Sequence, residues 1–264
     1  MKYCNRFSYN TFKKKNSVSV IYSIEERVKI NKINLFIDNV LNKKNSFIFE
    51  SVEKAKNRGR YTIFGFNPDL ILEVKKNNIY LNKRKIKNKQ NPKNYLEKFI
   101  NNFKFNLPNN LPKMSMMMAG YLGYDFIRYF EKIPDKNNDD LKIPDVKLIR
   151  PNFIYIHDNK LHKFFYIKIS FNKNSSYDIE LKNLKEQLKK DLSKNEINKT
   201  NFKIKKSNNN VRSNISKQKF IKIVNKAKKY IASGDIFQVV LSQRFEKNLG
   251  KNPLDIYKKI RLTN

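Results

Sequence analysis

Gln238 lies inside an uninterrupted apolar run, Ile236 to Phe245, that reads as a strand. Alternation along it puts Gln238, Val240, Ser242 and Arg244 on one face and Phe237, Val239, Leu241, Gln243 and Phe245 on the other. An amide in such a strand is costly unless hydrogen-bonded, so by residue type alone Gln238 is a satisfied core amide. Glu50-Ser51 ends a short apolar stretch, where a carboxylate and a hydroxyl cap a loop. Arg60, nine residues after Ser51, reads as a solvated cation at a strand edge. Gly120 and Gly123 allow a tight strand-to-helix turn, with Tyr121, Tyr124, Asp125 and Arg128 in packing roles and Asp125 favourable at a helix start. His157 and His162 flank a turn at Asp158-Asn159 and read as surface residues. No pair of His and carboxylate has the spacing of a metal site, and no nucleophile–base pair or phosphate-binding Gly loop is found.

The elements that must hold these residues follow from periodicity. Residues 24–43 carry Ile30, Ile33, Leu35, Phe36, Val40 and Leu41 at helical spacing. Ser46–Glu50 and Arg60–Phe66 read as strands, the second ended by Asn67-Pro68. Leu70–Val74 and Ile79–Leu81 form a hairpin, as do Val146–Ile156 and Leu161–Ile169. Asn91–Lys104 is helical, Met114–Ala119 a buried strand, Tyr124–Glu131 a short helix, and 177–193 a helix with Leu at helical spacing. Ser216 caps a helix with apolar face Phe220, Ile223, Val224, Ala227 and Ile231, Gly234 follows its end, and Asn252-Pro253 opens another. The fold class is therefore α+β with mostly antiparallel sheets, in a domain over 1–195, a Lys/Asn/Ser-rich linker over 196–215, and a second domain begun over 216–264.

Composition narrows the function classes. The 264 residues carry a formal net charge of +34, which points to nucleic acid or an anionic surface. The cations are mostly Lys, spread along the chain among Asn, Ile, Phe and Tyr, five types with A/T-rich codons. The charge thus reads as compositional, and no specific nucleic acid or membrane partner is expected. One cysteine, Cys4, excludes an intrachain disulfide scaffold, and no apolar run is long enough to span a bilayer. The expected location is the cytoplasm.

Three blocks carry a resemblance. Phe47-Ile48-Phe49-Glu50-Ser51-Val52-Glu53, continuing through Arg58-Gly59-Arg60-Tyr61-Thr62-Ile63-Phe64-Gly65, resembles the "LLES…GRYSFIG" block of anthranilate synthase component I. Ala119-Gly120-Tyr121-Leu122-Gly123-Tyr124-Asp125, with Arg128 and Glu131, resembles its "GYLGYD…R..E" block. Ile231 to Phe245 is similar to the "GDIFQVVLSQRF" block that opens the chorismate-binding domain. The resemblance implies an enzyme, a lyase of tryptophan biosynthesis, that aminates chorismate and eliminates pyruvate to give anthranilate. It implies Mg²⁺ as cofactor, a glutamine amidotransferase subunit as partner, and L-tryptophan as feedback inhibitor. Glu50 would receive the tryptophan ammonium, Ser51 add a hydrogen bond, and Arg60 meet the carboxylate. Gln238 would stand where water-adding relatives carry a Lys base. An amide cannot take that proton, which leaves ammonia as the nucleophile. The family's Mg²⁺ ligands and acid/base carboxylates fall beyond Asn264, so the chain reads as an N-terminal fragment expected to be inactive alone. The alternatives are aminodeoxychorismate synthase component I, which usually reads "QVNL" where this chain has Gln238-Val239-Val240-Leu241, and a degraded, non-catalytic basic protein.

Overall fold

Apolar residues alternate on both sides of Asn67-Pro68, and in the computed structural model they build one long strand. The structure describes residues 1–16, 18–27, 31–50, 59–87, 90–135, 139–172, 174–193, 211–248 and 252–263. The chain divides into two compact units, Met1–Asn195 and Glu196–Asn264. Of the expected linker, residues 196–210 lie outside the described residues.

The first unit contains β1 (Lys2–Tyr3), α1 (Arg6–Asn16), β2 (Ser19–Glu26), α2 (Asn31–Val40), β3 (Phe47–Glu50), β4 (Tyr61–Lys75), β5 (Asn78–Leu81), β6 (Arg84–Lys85), α3 (Pro92–Asn101), β7 (Ala119–Leu122), β8 (Val146–Asp158), β9 (Lys163–Ser170) and α4 (Tyr177–Leu192). The sheet order is β1-β2-β9-β8-β4-β5-β6, with β3 also on β4 and β7 also on β8. Every strand pair is antiparallel. The β4–β8 ribbon is the spine. It runs from Tyr61 opposite Asp158 to Val74 opposite Val146, with a register shift between Pro68 and Leu70. Pro lacks an N–H and is tolerated in a sheet at such a bulge, so Asn67-Pro68 bends the strand where the sequence predicts its end.

Each half of the ribbon has its own neighbours and its own helix. At the Tyr61 end β4 pairs with β3 and β8 with β9; at the Val74 end β4 pairs with β5 and β8 with β7. Phe36 of α2 packs at the first end, its ring 5.1–5.9 Å from those of Phe64, Tyr155, Phe164 and Tyr166. Leu96 of α3 covers Leu72, Val74, Ile79 and Val146 at the second. The β4–β5 turn uses Lys76 (φ 45°) and Asn77 (φ 64°), the left-handed pair that a two-residue hairpin requires.

Two further expectations are corrected, and one segment went unread. The helix predicted over 24–43 begins only at Asn31, because Ser19–Glu26 is taken up in pairing with β9. Of its predicted stripe Ile33, Phe36 and Val40 are buried, Leu35 and Leu41 are half-buried, and Ile30 lies outside the described residues; Ile37 is buried as well. Met114–Ala119 is a short 3₁₀ turn at Lys113–Ser115, and strand begins at Ala119, where the free edge of β8 is available. The N-terminal α1 gave no sequence signal because it is polar and buries only Tyr9.

The second unit has β10 (Arg212–Ser213), α5 (Lys217–Ala232), β11 (Phe245–Glu246) and α6 (Pro253–Thr263). Ser216 Oγ accepts from the Lys219 amide and caps α5, and Gly234 (φ 80°) follows its end, as the sequence predicts. The strand predicted over Ile236–Phe245 is not formed. Only Phe245 and Glu246 pair, with β10, and Phe237 and Val240 are exposed. A strand needs a neighbouring strand for its backbone groups, and among the described residues of this unit only β10 pairs with it, at Phe245.

Phe36 has no solvent exposure and touches four rings that do not come from its own helix. Phe36→Ala is expected to lower unfolding free energy by about 3–5 kcal/mol, the usual cost of emptying a large aromatic site. Urea denaturation measures it; a loss below about 1 kcal/mol would mean that α2 does not anchor this end of the sheet.

Candidate functional site

The first sequence block and the β8–β9 turn meet at one end of the sheet. Glu50 stands opposite Thr62, Thr62 opposite His157, and His157 opposite Phe164. Residues paired across antiparallel strands share a face, so these four form one row. Glu50 is half-buried, whereas Thr62 and His157 are 1% and 2% exposed. This corrects the expectation that both histidines lie on the surface. His162 is exposed in the turn, but β8 extends to Asp158, and alternation turns His157 inward. The His157 ring lies 5.3 Å from that of Phe164, and neither ring nitrogen has a hydrogen-bond partner among the described residues. Burial pushes the imidazole below its usual pKa and the nearby His162 adds to this, while Asn159 and Asp158 pull the other way.

Asp158 is the hub on the opposite face, where it pairs with Tyr61. It is 1% exposed. Its Oδ1 accepts the amides of Lys160 and Leu161, and Arg60 donates Nε to both oxygens at 3.2 Å and Nη2 to Oδ2 at 2.8 Å. Burial alone would raise this carboxyl's pKa. The Arg60 hydrogen bonds and the two turn amides overcome it and hold the pKa below the usual carboxylate value. Asn159 completes the clamp: its backbone N–H donates to the Arg60 carbonyl and its side chain to the Gly59 carbonyl. The Arg60 guanidinium also lies 4.8 Å from the centre of the Tyr61 ring.

Of the three residues nominated for an effector site, Glu50 and Arg60 thus flank the same end of the sheet, and Arg60 has its fork on Asp158. Ser51 falls in 51–58, outside the described residues. Sequence reasoning missed Thr62, the burial of His157, and Asp158. Arg60 and Asp158 are 98 positions apart, and only the β4–β8 register joins them.

The second block is structural in its glycines. A Cβ on Gly120 would lie 1.8 Å from the Lys147 carbonyl oxygen, so only glycine allows β7 to approach β8 this closely. A 3₁₀ helix follows at Tyr124–Tyr129, where Arg128 donates to Asp125 and to the Pro134 carbonyl. Tyr121 and Tyr124, expected to pack, are exposed. In the third block Gln238 is exposed on irregular chain, in place of the buried strand the sequence predicts. The described residues contain no group of three or more His, Cys, Asp or Glu able to hold a metal ion. Nor do they contain a helix long and apolar enough to cross a membrane.

This antiparallel α+β architecture and the ordered blocks fit one family: the chain belongs to the chorismate binding enzyme family, whose pattern matches residues 44–264. Within that family it is similar to anthranilate synthase component 1 of Acetivibrio thermocellus, 34% identical over 229 residues. It is also similar to the component 1 of Cereibacter sphaeroides, 30% identical over 231 residues; each match covers 83% of this chain and 46% of the relative. The crystal structure of anthranilate synthase component I from Streptococcus pneumoniae TIGR4 superposes with a TM-score of 0.67 at 27% identity, over 84% of this chain and 48% of that one. The chain therefore spans about half the length of the relatives it matches.

His157 gives a pH signature. Its pKa is lowered on folding, so between the unfolded value of about 6.5 and the lower folded value the unfolded chain binds the extra proton. That stability is complete above pH ~6.5, is lost as pH falls through the window, and levels off below the folded pKa. His157→Phe removes this component. The urea midpoint of the variant, compared with that of the parent, is expected to rise as pH drops from 7 towards 5 and to hold constant above 7. Parallel curves would show that His157 is not held neutral by burial.

Proposed function

We propose that this chain supplies the N-terminal half of anthranilate synthase component I, the large subunit that converts chorismate and ammonia to anthranilate and pyruvate for tryptophan synthesis. The observation that carries this reading is the family match over 44–264, together with the anthranilate synthase identity of the similar proteins and of the superposed structure. Ammonia comes from a glutamine amidotransferase subunit, the enzyme works in the cytoplasm, and Mg²⁺ supplies charge neutralisation at the chorismate carboxylate when bound. Gln238 acts by what it cannot do. A neutral amide takes no proton from water, so ammonia, which carries its own lone pair, is the nucleophile that adds.

The sheet end around Glu50 is the feedback site in this reading. The Glu50 carboxylate accepts the ammonium of L-tryptophan, the Ser51 hydroxyl adds a hydrogen bond, and Arg60 meets the carboxylate.

The reaction class is tested by product. The chain by itself, given chorismate, Mg²⁺ and ammonium, is expected to give no anthranilate fluorescence. The protein continued through the segment that its relatives carry is expected to release anthranilate and pyruvate in equal amounts. Release of 4-amino-4-deoxychorismate without pyruvate would transfer the chain to aminodeoxychorismate synthase component I. In the whole enzyme, Ser51→Phe is expected to raise the L-tryptophan concentration for half-inhibition by roughly 5- to 150-fold, the equivalent of about 1–3 kcal/mol for one lost hydrogen bond. Inhibition is scored against each variant's own uninhibited rate. Unchanged sensitivity with collapsed turnover would make Ser51 a structural residue of the strand end.

A further inference from the structure

We propose that the first unit carries a small-molecule site between α3 and Arg150, away from the sheet end at Glu50, and that it takes a planar aromatic carboxylate. The proposal is independent of the reaction and effector readings given above.

The site is a cavity of about 380 Å³ lined by Gln90, Tyr95, Lys98, Phe99, Phe103 and Arg150, with Asn102 at its edge. All of them belong to the first unit. Small-molecule sites have this size, largely apolar or aromatic walls and a few polar groups. The aromatic wall comes from one stripe. Tyr95 and Phe99 lie on α3 and Phe103 just past its C-cap, at every fourth position, so they share a face. The Tyr95 and Phe99 rings are near-parallel, 18° apart with centres 6.2 Å apart, and form a flat surface on which a third ring can pack.

The charged wall selects an anion. Both charged residues that line the cavity are cations, Lys98 and Arg150, and among the described residues no carboxylate lines it. Arg150 is held in place by the bulge in β4. The register passes from Pro68 opposite Pro151 to Leu70 opposite Arg150, which leaves Asp69 as the extra residue. A bulge re-aims a side chain, and here the Asp69 carboxylate accepts Arg150 Nε at 2.8 Å and Nη2 at 2.5 Å. The guanidinium also lies 3.6 Å from the centre of the Phe171 ring, which in turn packs against Phe103. Nη1 has no hydrogen-bond partner among the described residues. The group is therefore ordered before a ligand arrives, so binding does not have to freeze it. Only 18% of its side chain is exposed, and salt screens such a contact less than a surface one. In the complex the ligand ring packs on Tyr95, Phe99 and Phe103, and its carboxylate accepts from Arg150 Nη1 and Lys98 Nζ.

The alternative is a water-filled groove beside a structural ion pair. The test uses the whole chain and two probes of one shape: 2-naphthoate, a planar aromatic carboxylate, and 2-naphthamide, its uncharged counterpart. Naphthyl fluorescence follows the titrations in about 0.2 M salt, which screens exposed lysines beyond roughly 7 Å. 2-Naphthoate is expected to saturate a single site and to bind at least about 10-fold more tightly than 2-naphthamide. Arg150→Lys keeps a cation for Asp69 but loses the fork, and is expected to weaken 2-naphthoate by roughly 10- to 100-fold while 2-naphthamide moves less than about twofold. Asn102→Trp fills the cavity from an exposed position and is expected to abolish binding of both probes, with the urea midpoint reporting that the variant is folded. Equal affinity for the two probes, or no saturation by about 1 mM 2-naphthoate, would overturn the proposal. So would 2-naphthoate binding that survives Asn102→Trp, which would place the probe elsewhere on the basic surface, or binding unchanged in Arg150→Lys. If Arg150→Lys fails to fold, Lys98→Gln at its exposed position carries the charge test. There a loss of about 3- to 10-fold confined to 2-naphthoate is expected, and unchanged discrimination between the probes would overturn the proposal.

Discussion

Continuous pairing of β4 with β8 is the constraint on which the first unit depends. Two strands of 15 and 13 residues stay in register from Tyr61–Asp158 to Val74–Val146, interrupted once at the bulge after Pro68. The ribbon offers four half-edges, and β3, β5, β7 and β9 each take one. Its faces are thereby large enough for two separate helix contacts, Phe36 at one end and Leu96 at the other. The same register brings Asp158 beside Arg60 and His157 beside Thr62. Without it the first sequence block would be a strand with no partner for its basic end.

Periodicity made much of this legible. The helix stripes of α3, α4 and α5, the Ser216 cap, the Gly234 terminus and both hairpins are local signals, and local physics suffices to form them. What was not legible is non-local. Pro68 reads as a terminator until a partner strand is seen to bulge around it. α1 carries almost no apolar face, so no pattern announces it. Ile236–Phe245 shows the converse failure. Its residues have every strand propensity, yet the described residues of its unit supply a ladder only to Phe245 and Glu246. Propensity proposes a strand and hydrogen-bonding partners decide it.

The site divides along the same line. Glu50 and Arg60 stood out because a sequence block marked them, and the structure places both at one sheet end. Thr62 stood in the same block without a role, and His157 and Asp158 were read only as residues at a turn. His157 sits one residue from a turn, where a single step of alternation decides between surface and core. Asp158 looks like an ordinary turn aspartate until Arg60 is found on it.

The charge balance explains why such carboxylates matter beyond their own contacts. With 57 Lys and Arg against 23 Asp and Glu, cations are plentiful and each acid can serve several donors. Asp191 shows this: buried near the end of α4, it accepts from Lys43, Gln187 and the Tyr155 hydroxyl, joining α2's neighbourhood to the sheet. Glu25 takes Lys32 and the Tyr166 hydroxyl, Glu180 takes the buried Lys168, and Asp69 holds Arg150 in a two-point contact at 2.5 and 2.8 Å. Lys168 and Glu180 are both buried, so removing Glu180 would strand a buried cation, which costs more than losing an exposed pair. These four acids sit at junctions between strands, turns and helices. Asp158 belongs to that set by its burial and its donors, and its cation is the most exposed of these partners, the Arg60 side chain being 44% exposed against 10–30% for Lys32, Lys43, Arg150 and Lys168.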